Sequence, residues 1–122
     1  MYATESAEMY LENILVLKER KGEVRAIDVV HYSGYSKPSV SRAMSLLKTA
    51  GHITVDKDGF ISLTTSGRAI AEKILERHHI LAQYLIRLGV DPETASQDAC
   101  KIEHYISDVT FDAMKRHSDA LE

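Results

Sequence analysis

Apolar positions recur at three- and four-residue spacing through Met9, Tyr10, Ile14 and Leu17, the pattern of a helix packed along one face. Thr4 reads as its N-cap, with Glu5 in the first turn. Lys18-Glu19-Arg20-Lys21 makes a solvated end, and Gly22 stops the helix. The pattern then shortens. Arg25–Tyr32 predicts a short helix with Ala26, Ile27, Val29 and Val30 inward, broken at Gly34. Ser36 caps the next helix, Pro38 sits in its first turn, and Val40, Ala43, Met44, Leu46 and Leu47 form its stripe as far as Gly51. Two short helices around a glycine-containing turn outline a helix-turn-helix. At residue 52 the period changes from helical to alternating. His52–Asp56 and Phe60–Leu63 read as strands around the turn Lys57-Asp58-Gly59, so a hairpin follows at once, in the position of a wing.

The helical period then returns. From a cap at Thr64 or Thr65, a stripe runs through Ile70, Ile74, Leu75, Leu81, Leu85 and Leu88 to Gly89, which is long for one globular helix. Asp91 and Pro92 open another helix, which carries the stretch Ser96–Ile106. Ser107 caps a last one, from Asp108 to about Lys115, with Val109, Phe111 and Met114 packing and residues 117–122 fraying. The fold class is therefore mainly α. A winged helix-turn-helix occupies residues 1–70 and a helical layer residues 71–122.

Bulk properties narrow the partners. The chain has 122 residues, 44% hydrophobic and 27% charged, with a formal net charge of −3. That balance excludes a globally basic nucleic-acid binder but allows a basic face on an acidic body. One cysteine, Cys100, forms no internal disulfide, and the polar, acidic start does not suit a targeting segment, so a reducing cytoplasm is expected. No apolar run approaches the roughly 18 residues of a membrane span, and no membrane partner is expected.

Two groups of residues carry chemistry. On a helix, Cys100, Glu103 and His104 share a face and present a thiolate, a carboxylate and an imidazole, all transition-metal donors. Met9 and Glu12, spaced i, i+3, and His78 add a thioether, a carboxylate and an imidazole from distant segments. The second group is the start of the presumed recognition helix, where Ser36, Lys37, Pro38, Ser39, Ser41 and Arg42 give a short polar surface able to approach base edges. Arg25 and Lys57, with Lys48, supply charge for phosphates.

The sequence resembles the diphtheria-toxin-repressor family of iron- and manganese-dependent transcriptional regulators. The likeness covers nearly the whole chain. It rests on Glu8-Met9-Tyr10-Leu11, Ser39-Val40-Ser41, Leu63-Thr64-Thr65-Ser66-Gly67-Arg68, Arg77-His78, Leu88-Gly89-Val90-Asp91, and Asp98-Ala99-Cys100 with Glu103-His104. It implies a homodimeric repressor of the short, two-domain form whose grip on DNA depends on bound divalent metal. By position it places the ligands on Met9, Glu12, His78, Cys100, Glu103 and His104. This set is a hybrid. Short manganese-type members have Asp in place of Met9 and Glu in place of Cys100. Long iron-type members share Met and Cys but lack the Glu at position 12. Their ancillary site uses a Glu and a His where this chain has Ala82 and Ser96. Softer sulfur donors favour Fe2+ over Mn2+, with Zn2+ or Co2+ as substitutes. The dimer interface is expected at Leu85, Leu88, Val109, Phe111 and Met114, and the DNA partner is a palindromic operator with half-sites roughly 34 Å apart. A metal gripped by both the first helix and the C-terminal layer would couple metal to DNA. The competing expectations are a winged-helix regulator indifferent to metal and a metalloenzyme. The second is disfavoured because six candidate protein ligands leave little room for an open coordination position.

Overall fold

The computed structural model of the chain describes residues 5–120. The expected cap Thr4 therefore lies outside the described residues. The elements run α1 (Glu5–Lys21), α2 (Ala26–Ser33), α3 (Lys37–Thr49), β1 (Ile53–Val55), β2 (Ile61–Leu63), α4 (Thr65–Arg87), α5 (Pro92–Ile102) and α6 (Asp108–Ala120). Two compact units result, one ending at Glu72 and the next beginning at Lys73, so the boundary falls within α4.

In the first unit α1 packs against α2, α3 and β2, and α3 against β1. Its core takes Ile14, Val29, Val40, Met44 and Leu47 from the stripes that the helical period marked, adds Leu11 from α1, and is closed by Ile53 and Ile61 from the strands. The α2–α3 turn needs a left-handed residue. Gly34 (φ 79°) provides it, and its N–H caps the Val30 carbonyl. Ser36 caps α3, accepting from the Ser39 N–H at 3.3 Å. Three inward assignments do not hold. Ala26 and Ile27 are exposed, leaving Val29 as the buried residue of α2. Leu46 is 70% exposed, because adjacent positions lie about 100° apart on a helix and Leu47 takes the core.

The strands pair antiparallel with Ile53 opposite Leu63 and Val55 opposite Ile61. Asp56 organises the tip: its carboxylate accepts from the N–H groups of Asp58 and Phe60, and Gly59 takes φ 87°. The Ile61 N–H also donates to the Val24 carbonyl at 2.7 Å, tying the hairpin to the lead into α2. Across the same junction the Arg25 guanidinium stacks 4.3 Å above the Phe60 ring.

Asp28 stabilises the start of α2. It accepts from Lys21 Nζ at 2.6 Å and from the Arg25 N–H at 2.9 Å, and these bonds hold its pKa below the ordinary 3.8, Lys21 contributing most. A depressed carboxylate pKa stabilises the fold above the unfolded value and loses that effect as pH falls through the folded one. Asp28→Ala is expected to cost about 1 kcal/mol at neutral pH. The gap between the urea midpoints of variant and wild type should close as pH drops below 3.8. A gap that persists in acid would contradict this account.

The second unit has a small core of Leu81, Ala82, Ala99 and Phe111, flanked by Ile80, Ile106 and Met114. Asp91 caps α5 through the Thr94 N–H, with Pro92 at its first position. The helix ends at Ile102, four residues before the end expected from its pattern. The Tyr105 and Ile106 N–H groups both turn back to the Ile102 carbonyl, and Ser107 then caps α6 by accepting from the Thr110 N–H. α6 in turn runs on to Ala120 instead of fraying. Arg87 donates to the carbonyl and hydroxyl of buried Ser118, and His117 packs on Tyr84 with ring centroids 5.7 Å apart.

Candidate metal centre and DNA-facing surface

The centre lies in the second unit, where α4 supplies His78 and the end of α5 supplies Cys100 and Glu103. Cys100 sits in the last turn of α5. Glu103 is its C-cap, still in helical conformation (φ −57°), with its N–H bonded to the Ala99 carbonyl. The i, i+3 relation therefore survives the helix end, and both side chains face His78. One donor atom from each of His78, Cys100 and Glu103 lies within 4.8 Å of the other two. His78 Nδ1 is 2.9 Å from Glu103 Oε2 and 3.8 Å from Cys100 Sγ, while its Nε2 meets Ser96 Oγ at 3.3 Å.

Burial is graded across the three. The Glu103 side chain is fully buried, His78 is mostly covered and Cys100 is exposed. The contact with Cys100, and after it the bond to Glu103, push the His78 pKa up to about 10 against the opposing effect of burial. At neutral pH the ring is thus a cation between sulfur and carboxylate. A divalent ion binding there would take over the role of that proton.

Whether these residues suit a metal can be tested on Glu103. Its Oε1 is buried and makes no hydrogen bond, with the His104 Nε2 at ion-pair distance, 3.4 Å. Buried carboxylate oxygens without a bonded partner are rare, and a cation is one way to satisfy them. Thiolate, imidazole and carboxylate together suit Fe2+, Co2+ or Zn2+ better than a hard oxygen-only site would. The donor set fits.

The other expected ligands stand as follows. His104 lies beyond α5, in the turn, so it does not share a helical face with Cys100 as its spacing implied. Its side chain is 5% exposed beside Glu103. Met9 is half-buried and Glu12 buried on α1 of the first unit. Two participants were not expected from the pattern. Ser96 meets the far nitrogen of His78. Arg77, a buried residue, donates to the main-chain carbonyls of Glu103 and Ile106. The adjacency Arg77-His78 was the one available hint, since neighbouring positions on α4 point to different sides of the same contact.

Of the residues expected to face DNA, Lys37, Pro38, Ser41 and Arg42 are exposed on α3 and Lys57 is exposed at the hairpin tip. Ser36 and Ser39 hold the helix start together, with the Ser36 hydroxyl 2.9 Å from that of Ser39. Arg25 is exposed but seated on Phe60. Of the residues expected at a dimer interface, Leu88 and Val109 are 68% and 80% exposed, and Leu85 and Met114 are half-buried. Val109 is thus not a packing residue of its own helix. Phe111 lies in the core of its own unit and does not face solvent, because Leu81, Ala82 and Ala99 close around it.

Comparison with known proteins gives the family and the fold. Residues 64–122 match the family model described as "Iron dependent repressor, metal binding and dimerisation domain". The transcriptional regulator MntR of Escherichia coli O6:H1 is 37% identical over 106 residues, 87% of this chain and 68% of the relative. The HTH-type transcriptional regulator MntR of Geobacillus kaustophilus is 31% identical over 119 residues, 98% of this chain and 82% of the relative. Among solved structures, the metal-dependent transcriptional regulator MtsR superposes with TM-score 0.85 at 26% identity, over 93% of this chain and 53% of that one. A manganese-dependent transcriptional repressor in complex with manganese gives TM-score 0.85 at 25% identity, over 93% and 52%. The chain spans about half the length of these two structures. Among the described residues no helix is long and apolar enough to cross a membrane.

Proposed function

Because the chain belongs to the diphtheria-toxin-repressor family of metal-dependent transcriptional regulators, we propose that it is a cytoplasmic DNA-binding repressor, not an enzyme, whose operator affinity is set by a divalent metal. The observation that carries the reading is the convergence of His78, Cys100 and Glu103 on one point, with Glu103 Oε1 buried and without a hydrogen bond. These three are the proposed ligands, with His104 beside them. Met9 and Glu12 enter the proposal on the family resemblance alone. The sulfur donor places Fe2+ first and Mn2+ second, with Zn2+ or Co2+ able to substitute. When bound, the metal supplies a positive charge that draws His78, Cys100 and Glu103 together, and the chain's own residues do the rest. Residues 1–70 are proposed to read DNA and residues 71–122 to bind metal and dimerise.

On the DNA side, Lys37, Ser41 and Arg42 are proposed to reach base edges or phosphates from α3, with Lys57 contributing charge from the wing. Ser36, Pro38 and Ser39 shape the start of α3, and Arg25 places its charge where the wing meets α2. Exposed Leu88 and Val109, with Leu85 and Met114, are the proposed dimer contacts. A two-fold dimer reads a palindrome.

The test uses an operator selected from random duplex DNA in the presence of Mn2+. Affinity should rise at least about tenfold when chelated protein is supplied with Mn2+, or with Fe2+ under anaerobic conditions. Equal binding in chelator would favour a winged-helix regulator indifferent to metal.

A further inference from the structure

We propose that Arg77 is the positioning residue of the metal centre, holding the main chain of Glu103 so that its carboxylate is delivered beside His78 and Cys100. The proposal rests on the metal-centre reading above.

Arg77 directly precedes His78 on α4, and its side chain is 7% exposed. Nη1 donates to the Glu103 carbonyl at 3.2 Å and to the Ile106 carbonyl at 2.8 Å. Nη2 pairs with the Asp108 carboxylate, which Lys73 also contacts at 3.1 Å. The guanidinium lies 5.2 Å from the centre of the Phe111 ring. One planar group therefore bonds the C-cap of α5, the turn after it and the first residue of α6.

The position of Glu103 depends on that turn. α5 has ended at Ile102, so no further helical ladder fixes the Glu103 and Ile106 carbonyls. Arg77 satisfies both, and puts positive charge where the helix dipole favours it. Only a rigid fork can meet two carbonyls and a carboxylate at once; a lysine ammonium is a single point on a flexible stem. Stability alone does not account for the residue. Its Nε is buried without a partner, and a buried cation is a poor stabiliser compared with a well-packed apolar side chain. What the guanidinium does supply is a fixed pose for a metal ligand. Residues that hold ligands in this way typically change metal affinity by about 10–100-fold.

The experiment titrates metal-free protein with Co2+, read by calorimetry and by thiolate-to-cobalt absorption, alongside melting temperatures without metal. Arg77→Met should lose about 10–100-fold in Co2+ affinity and much of the absorption. Arg77→Lys should recover less than half of that loss on a logarithmic scale. Lys115→Ala removes a different link between α4 and α6, the 3.0 Å pair with Glu76, and should leave Co2+ binding unchanged. Leu81→Ala serves as a variant of lowered stability with the fork intact, and should keep its affinity. Should Arg77→Met fail to fold, Asp108→Asn keeps the guanidinium and removes one anchor, and should lose affinity several-fold. Wild-type Co2+ affinity in Arg77→Met or Asp108→Asn would overturn the proposal. So would an affinity loss in Leu81→Ala that tracks melting temperature as closely as that of Arg77→Met. A wild-type chain that binds no Co2+ would overturn the metal reading itself.

Discussion

Gly67→Ala is expected to destabilise the first unit by about 3 kcal/mol or more, although alanine is the better helix former by about 1 kcal/mol. Gly67 sits in the first turn of α4, where a Cβ would stand 1.9 Å from the His52 carbonyl oxygen and 2.9 Å from its carbon. No side-chain rotation relieves a collision with main chain. Nor is the carbonyl free to retreat, since it accepts the Thr64 N–H at 3.1 Å. Around it Thr64 Oγ1 donates to the Gly51 carbonyl at 2.7 Å and accepts from the Gly67 N–H at 3.2 Å, while Ser66 meets His52 Nδ1 at 2.9 Å. Moving either strand of this junction breaks several bonds together. Against a typical total of about 5–15 kcal/mol, the loss is a large share of the stability. Urea unfolding followed by helical ellipticity measures it. A midpoint within experimental error of wild type would show that α4 can shift away from His52 without loss.

The same junction shows what the sequence could and could not reveal. Leu63-Thr64-Thr65-Ser66-Gly67 was legible as a helix start, and Thr64 is its cap, but that Gly67 lies against His52 is a tertiary fact without a local signature. Elements ended by their own residues were read well. Gly22 and Gly34 stop α1 and α2, Ser36 and Asp91 cap α3 and α5, and the Lys57-Asp58-Gly59 turn closes the hairpin, with Asp56 and Phe60 joining it from the ends of the expected strands. Elements ended by remote partners were not. α5 stops at Ile102, where the turn behind it is held by Arg77, and α6 continues to Ala120 because Arg87 and Tyr84 engage Ser118 and His117. The candidate site divides along the same line. Cys100 and Glu103 come from one helical spacing, while His104 shares the spacing but not the helix. His78 was visible as an imidazole on a distant segment, but no spacing tied it to Cys100 and Glu103, and nothing local gave Ser96 or Arg77 a part in the site.

Glu103→Gln carries the largest expected functional effect, because it changes charge at the one fully buried ligand with almost no change in volume. The amide oxygen can still accept from His78, so helical content should stay at the wild-type level. What disappears is the anionic oxygen pair that a divalent ion needs in a site shielded from water. Loss of residues that merely support a ligand lowers metal affinity about 10–100-fold, and removal of the ligand itself should exceed the upper end of that range. DNA binding should then be the same in Mn2+ and in chelator, since metal and DNA affinities are linked reciprocally and a metal that does not bind cannot bias the protein. His104→Ala should fall between the two, its ring lying 3.4 Å from Glu103 Oε1 but outside the three-residue cluster. Calorimetric titration with Mn2+ and Zn2+, paired with anisotropy of labelled operator DNA, separates these outcomes. If Glu103→Gln keeps a metal-dependent gain in DNA affinity, the ion that governs this chain is held elsewhere, and the convergence of His78, Cys100 and Glu103 is only an ion pair with a thiol beside it.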